Sequence, residues 1–166
     1  MKITAQEEYG LRILLRIGRC LNHDGMSIPQ LSEAEGLSNA YVAKLTRILR
    51  QQGFINSTPG YKGGYLLAVP PKEININKVL KALGGALFSD EFCGTHSGIS
   101  KICTNSVECS ARSLWQMIQF TMDRLLDQIT LFDLTASETQ SGKILEQIVD
   151  EYINKIRRKN VVVEIP

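Results

Sequence analysis

The sequence predicts a mainly α-helical chain with a small β-hairpin wing. Three observations carry this. Several segments with helical apolar spacing are each headed by a capping signature; two short apolar runs flank a glycine-rich turn; and two long amphipathic segments close the chain. At 166 residues, with 43% hydrophobic and 22% charged residues, the chain is ordinary for a globular protein and long enough to bury a core.

Thr4 and Glu7 form a capping box that opens a first helix, whose apolar positions are Tyr9, Ile13, Leu14, Ile17 and Leu21. Cys20 is expected on this stripe as a small buried hydrophobe, and Gly25 stands past the helix end. Ser27 and Gln30 make a second capping box, with Pro29 in the first turn, for a short helix that stops at Gly36. Ser38 caps a third helix running to about Gln52. Its inward face is Val42, Leu45, Ile48 and Leu49, and its outward face is Asn39, Tyr41, Lys44, Arg47 and Gln51. A short helix, a glycine turn and a longer helix with a polar face form a helix-turn-helix, the second helix of which lies in the DNA major groove. Strand-like runs at 54–58 and 65–69 flank Pro59-Gly-Tyr-Lys62-Gly-Gly, a wing with a basic tip. The head is thus a winged helix-turn-helix.

Pro70-Pro71 marks a boundary, and Asn75 caps a helix carrying Ile76, Val79, Leu80 and Leu83. A long helix from about Ser110 carries Leu114, Met117, Ile118, Thr121 and Leu125. Thr130 and Asp133 cap a short turn. A C-terminal helix runs from about Ser141 to Lys159, and the tail 161–166 is left as a short strand or disordered. The expected division is a DNA-binding domain at 1–71, a cysteine loop with a long helix at 72–136, and a C-terminal helical extension at 137–166.

Charge is distributed unevenly. Residues 1–67 hold eight Lys/Arg against five Asp/Glu, whereas the remainder holds eleven against twelve, so the basic excess lies in the head. No apolar run approaches the roughly 20 residues of a membrane span, and the N-terminus lacks a signal-peptide core, so a cytoplasmic location is expected. There, clustered cysteines point to metal or redox roles rather than stable disulfides. Cys93, Cys103 and Cys109 fall within seventeen residues as Cys-x9-Cys-x5-Cys, in a polar loop with little apolar content. Thiolates favour zinc, copper(I) or iron–sulfur clusters. No nucleophile elbow, phosphate loop or dinucleotide fingerprint is present, which argues against an enzyme.

The start MKIT, the segment IPQLSEAEGLSNAYVAKLTRILRQQGFINS, the wing GYKGGYLL and the later ITLFDL, with three cysteines ahead of the long helix, resemble the IscR/NsrR-like winged-helix regulators over about residues 1–135. The resemblance implies a homodimeric bacterial transcription regulator, often a repressor, that binds a palindromic double-stranded operator and pairs through a dimerisation helix near residues 110–130. It also implies an iron–sulfur cluster, 2Fe–2S or 4Fe–4S, on Cys93, Cys103 and Cys109. It places Ser38, Asn39, Tyr41 and Lys44 at DNA-reading positions and Lys62 in the wing; Arg47 joins them from the outward face. Three positions depart from the family pattern. The nine-residue spacing between the first two cysteines is long, Arg112 stands where one branch has a histidine ligand, and Pro59 stands where many members carry an arginine. A second branch, the nitric-oxide sensors, takes its fourth ligand from a carboxylate at the partner's eighth residue. Glu8 occupies that position here and ranks first as fourth ligand, with His96 as the alternative. The competing expectation is a cluster-free regulator of the same family that responds to a metabolite, a partner protein or thiol oxidation.

Overall fold

The structure is a computed structural model that describes residues 3–20, 25–59, 63–85, 88, 92–97, 103 and 105–160, with side chains through 156. Helix α1 spans Ala5–Arg19, α2 Ile28–Glu35 and α3 Asn39–Gln51. Strands β1 (Ile55–Ser57) and β2 (Tyr65–Leu67) form the wing. A 3-10 turn at Pro71–Glu73 leads to α4 (Ile76–Ala82), followed by α5 (Phe92–Thr95), α6 (Ser110–Leu126), α7 (Leu131–Thr135) and α8 (Glu138–Asn160). The fold is mainly α with a two-stranded antiparallel hairpin, as expected.

The caps form where the sequence puts them. The Thr4 hydroxyl accepts the Glu7 amide at 3.3 Å while Glu7 accepts the Thr4 amide at 2.7 Å. Ser27 with Gln30, and Thr130 with Asp133, repeat the arrangement. Each box satisfies amides that a helix end would otherwise strand. Gly36 closes α2 in the left-handed conformation (φ 67°, ψ 33°), and the Ser32 hydroxyl bonds the Leu37 carbonyl across the turn.

One apolar core joins Ile13, Leu14 and Ile17 of α1 with Leu31 of α2 and Val42, Leu45 and Leu49 of α3. It continues through Ile55 of the wing to Ile76, Val79, Leu83 and Leu131. The middle of the chain is stitched to this core by backbone bonds from Ile76 to the Ile129 carbonyl (3.0 Å) and from Leu131 to the Ile74 carbonyl (2.8 Å). Asn77 adds a bond to Asp127 at 2.8 Å, and Lys81 an ion pair with Asp123 at 2.8 Å. The base of α6 is therefore tied to α4, which packs on α1 and α3.

Two expectations shift. Cys20 is the C-cap of α1 in extended conformation (φ −73°, ψ 120°) and only half-buried, because the helix ends at Arg19, two residues before the stripe does. There Arg19 turns away to bond the carbonyls of Leu134, Thr135 and Ala136 at 2.9–3.0 Å. Helix α8 begins at Glu138 rather than near Ser141, since Ser137 and Gln140 pair as an N-terminal cap. Leu21, His23 and the tail 161–166 lie outside the described residues.

Candidate nucleic-acid interface and cysteine loop

Helix α3 presents Asn39, Ala40, Lys44, Arg47 and Arg50 to solvent while Val42, Leu45 and Leu49 anchor it in the core. The outer face is basic, with no carboxylate on the helix to offset it. Ser38 is committed in part to the fold: its hydroxyl accepts the Tyr41 amide at 3.2 Å and so fixes the start of the helix. Tyr41 is half-buried and edge-on to Tyr9 of α1, with ring centroids 6.1 Å apart. Arg12 lies 5.5 Å from the Tyr9 ring and Lys44 Nζ 5.9 Å from the Tyr41 ring, so two cations bracket the aromatic pair. The Tyr9–Arg12 partnership went unnoticed in the sequence, although the two residues sit three apart on one helix face.

The wing registers Ile55 with Leu67, Asn56 with Leu66 and Ser57 with Tyr65. Its base closes where the Thr58 hydroxyl accepts the Gly64 amide at 2.7 Å. Met26 pairs with Tyr65 through two backbone bonds of 3.1 and 2.8 Å, which fixes the hairpin to the start of the helix-turn-helix. Pro59 is exposed. Lys62, expected at the wing tip, lies outside the described residues.

Cys93 sits on the short helix α5, Cys103 in the loop, and Cys109 at the start of α6. All are free, half-buried thiols. Cys109 is the N-cap of α6, its sulfur accepting the Arg112 amide at 3.4 Å. Arg112, at the position of the family's histidine, folds back to bond the carbonyls of Asn105 (3.2 Å) and Ser106 (2.9 Å), which holds the end of the loop against the helix. Among the described residues its buried Nε has no hydrogen-bond partner. His96 stacks on Phe92 with centroids 4.0 Å apart, and its Nδ1 lies 2.9 Å from the Phe92 carbonyl. The Thr95 hydroxyl lies 3.0 Å from the same nitrogen, so both contacts hold the ring through Nδ1.

Among the described residues no three His, Cys, Asp or Glu side chains come together as a metal-binding group. The donor chemistry nevertheless fits a cluster, since three free thiols and an imidazole lie in one short stretch. Glu8 is not among them. It is exposed on the first turns of α1 and lines a groove with Leu11, Leu80, Met122, Asp123 and Leu126. Met122 lies 13 residues along α6 from Cys109, roughly 20 Å at 1.5 Å per residue. Glu8 therefore stands beside the far half of α6 from Cys109 of its own chain.

A family model described as Rrf2, an iron-dependent transcriptional regulator, matches residues 3–137. The protein rrf2 of Nitratidesulfovibrio vulgaris is 34% identical over 134 residues, 81% of this chain and 87% of that protein. Among solved structures, T. potens IscR superposes with a TM-score of 0.62 at 25% identity, covering 81% of this chain and 85% of that one. CymR, the global cysteine regulator of B. subtilis, superposes with a TM-score of 0.63 at 27% identity, covering 81% and 96%. Among the described residues no helix is long and apolar enough to cross a membrane.

Proposed function

The chain belongs to the Rrf2 family of iron-dependent transcriptional regulators, and on that premise we propose that it is a cytoplasmic homodimer whose binding to a palindromic operator is modulated by an iron–sulfur cluster. That it is a DNA-binding transcriptional regulator rather than an enzyme follows from the family itself. The observation carrying the finer reading is the occurrence in one chain of a basic recognition helix anchored in the core and three free cysteines ahead of α6.

In this reading residues 1–71 bind DNA, 72–136 sense and dimerise, and 137–166 extend the dimerising part. The exposed start of α3 enters the major groove. Asn39, Tyr41 and Lys44 meet base edges, Ser38 sets their position, and Arg47 and the wing's Lys62 meet phosphates. Cys93, Cys103 and Cys109 hold the cluster, 2Fe–2S or 4Fe–4S. Bound there, it supplies iron open to oxygen, nitric oxide or a change of redox state. The fourth ligand is Glu8 of the second copy, at the position the resemblance marks for a carboxylate; His96, between Cys93 and Cys103, is the alternative. The two states of the loop bias the arrangement of the two heads, which is how a cluster far from DNA changes operator affinity.

The test is an absorption spectrum of protein purified without oxygen, with iron and sulfide assayed on the same sample. Matched iron and sulfide in a coloured protein support the reading, and their ratio per chain gives the nuclearity. Glu8→Ala is expected to change the spectrum and hasten cluster loss in air; an unchanged spectrum and lability would remove Glu8 as ligand. A colourless protein that still binds its operator would favour the second reading, a cluster-free regulator responding to a metabolite, a partner protein or thiol oxidation. What speaks for that alternative is that no three donor side chains come together among the described residues.

A further inference from the structure

Two features where α1, α7 and α8 meet are not explained by packing. Ser141 is only 8% exposed, and its hydroxyl has no hydrogen-bond partner among the described residues. A buried hydroxyl left in that state is costly and calls for a partner. Gly142, beside it, weakens a helix interior. Yet a Cβ there would meet nothing within 4 Å, so no close approach among the described residues requires a glycine. Both residues line a groove of about 700 Å3, together with Leu11 and Leu15 of α1, Leu134 of α7 and Leu145 of α8. Sites for small molecules span roughly 300–1,000 Å3.

The charges of the groove gather at one end. Arg19 and Glu138 belong to its lining. Arg19 bonds the carbonyls of Leu134, Thr135 and Ala136 through Nε and Nη2, which leaves Nη1 outside these bonds and holds the guanidinium close to the start of α8. Among the described residues no ion pair joins Arg19 to Glu138. Ser137 caps α8 through Gln140, so the amides of Glu138 and Thr139 are the unpaired donors of a helix start. From Arg19 the leucines recede along α1 in four-residue steps, Leu15 and then Leu11, about 12 Å in all at 1.5 Å per residue. The groove thus has a head with one cation and one carboxylate, and an apolar trough behind it.

We infer that this groove binds an α-amino acid with a large apolar side chain, such as leucine, methionine or phenylalanine. Its carboxylate meets Arg19 Nη1 and the first amides of α8, and its ammonium meets Glu138. Its side chain lies among Leu11, Leu15 and Leu145 and passes over the bare backbone of Gly142. The Ser141 hydroxyl, turned about its Cα–Cβ bond, donates to the ligand. A zwitterion fits better than a simple acid or amine, because either of those leaves one of the two protein charges unanswered. The inference goes beyond the proposed function and needs neither the cluster nor the dimer. Since α1 packs on the recognition helix, a ligand that clasps α8 to α1 couples amino-acid concentration to the DNA-binding head.

The test is isothermal titration calorimetry on the purified full-length chain with L-leucine, L-methionine and L-phenylalanine. L-Leucine is expected to saturate one site per chain. 4-Methylpentanoate and 3-methylbutylamine, which each lack one of its charged groups, should bind about tenfold more weakly or worse. Gly142→Leu should abolish binding, because its side chain fills the trough where the folded chain leaves room, and should melt no lower than the parent by circular dichroism. Glu138→Gln, at an exposed position, should bring L-leucine down to the affinity of 4-methylpentanoate. Failure of all three amino acids to bind at millimolar concentration would overturn the inference. So would 4-methylpentanoate binding as tightly as L-leucine, or undiminished binding by Gly142→Leu. A parent that binds no amino acid but a Gly142→Leu chain that sediments as a smaller species would give the groove to a second copy instead. No DNA or cluster enters the measurement, so its failure leaves the operator and the iron–sulfur reading standing.

Discussion

The carboxylate of Glu35 is the hub that fixes the first helix of the helix-turn-helix to α1. Its side chain is 3% exposed, with Arg12 at 2.7 Å on one oxygen and Arg16 at 2.8 Å on the other. A carboxylate in the last turn of a helix opposes the dipole, so the two arginines compensate for its position. Replacing Glu35 by Gln removes the charge and gives one arginine an amide donor to face instead of an acceptor. Breaking a fully buried pair costs about 3–5 kcal/mol. Here both arginines are more than a third exposed, rehydrate when released, and reduce the figure to about 2 kcal/mol. For a chain of this size that corresponds to a fall of about 4–8 °C in Tm. The assay is thermal and urea unfolding by circular dichroism on Glu35→Gln, Arg12→Ala and Arg16→Ala. Glu35→Gln should be the most destabilising, because each arginine variant leaves the other bond in place. Operator affinity should fall with it, because α2 braces α3. A Glu35→Gln midpoint equal to the parent's, or an arginine variant costing more, would refute the hub.

Lys44→Ala and Lys62→Ala should both weaken operator binding and leave any cluster spectrum unchanged. Lys44→Ala should cost about 1–3 kcal/mol and relax sequence preference, whereas Lys62→Ala should lower the salt slope by about one; equal losses on operator and random DNA would deny Lys44 a base contact. Gly25 and Gly36 share a left-handed backbone (φ 76° and 67°) but differ in surroundings. A Cβ on Gly25 would lie 2.5 Å from the Tyr65 carbonyl oxygen, whereas one on Gly36 meets nothing within 4 Å. Gly36→Ala should therefore cost only the conformational penalty of about 1–2 kcal/mol. Gly25→Ala should cost more and displace the wing, seen as a larger drop in the urea midpoint and a loss of operator binding; equal costs would show that the close approach has no effect.

What was legible in the sequence was local. Thr4, Ser27, Ser38, Asn75 and Thr130 each cap the helix that they precede, because a cap is decided within four residues. The start of α8 is equally local, set by the capping pair Ser137 and Gln140 ahead of the apolar stripe that begins later. The periodicity of α6 announced an apolar face but not what covers it: Leu114 and Met117 share helical spacing with Ile118 and Leu125, yet the first two are exposed and the others half-buried. The three cysteines and Glu8 were found by type and position, the place of Glu8 beside the far half of α6 from Cys109 only by the fold.

The sequence alone thus determined the order of helices, the hairpin, the basic face of α3 and the thiol-rich loop, all set by neighbours a turn or two away. The tertiary structure decided which charges are spent and which are free. Arg12 and Arg16 go to Glu35, Arg19 to three carbonyls of the α7 end, and Arg112 to the cysteine loop, while Lys44, Arg47 and Arg50 face outward. No local rule sorts these cations, because their partners are six to 117 residues away in the chain and meet them only when the helices pack.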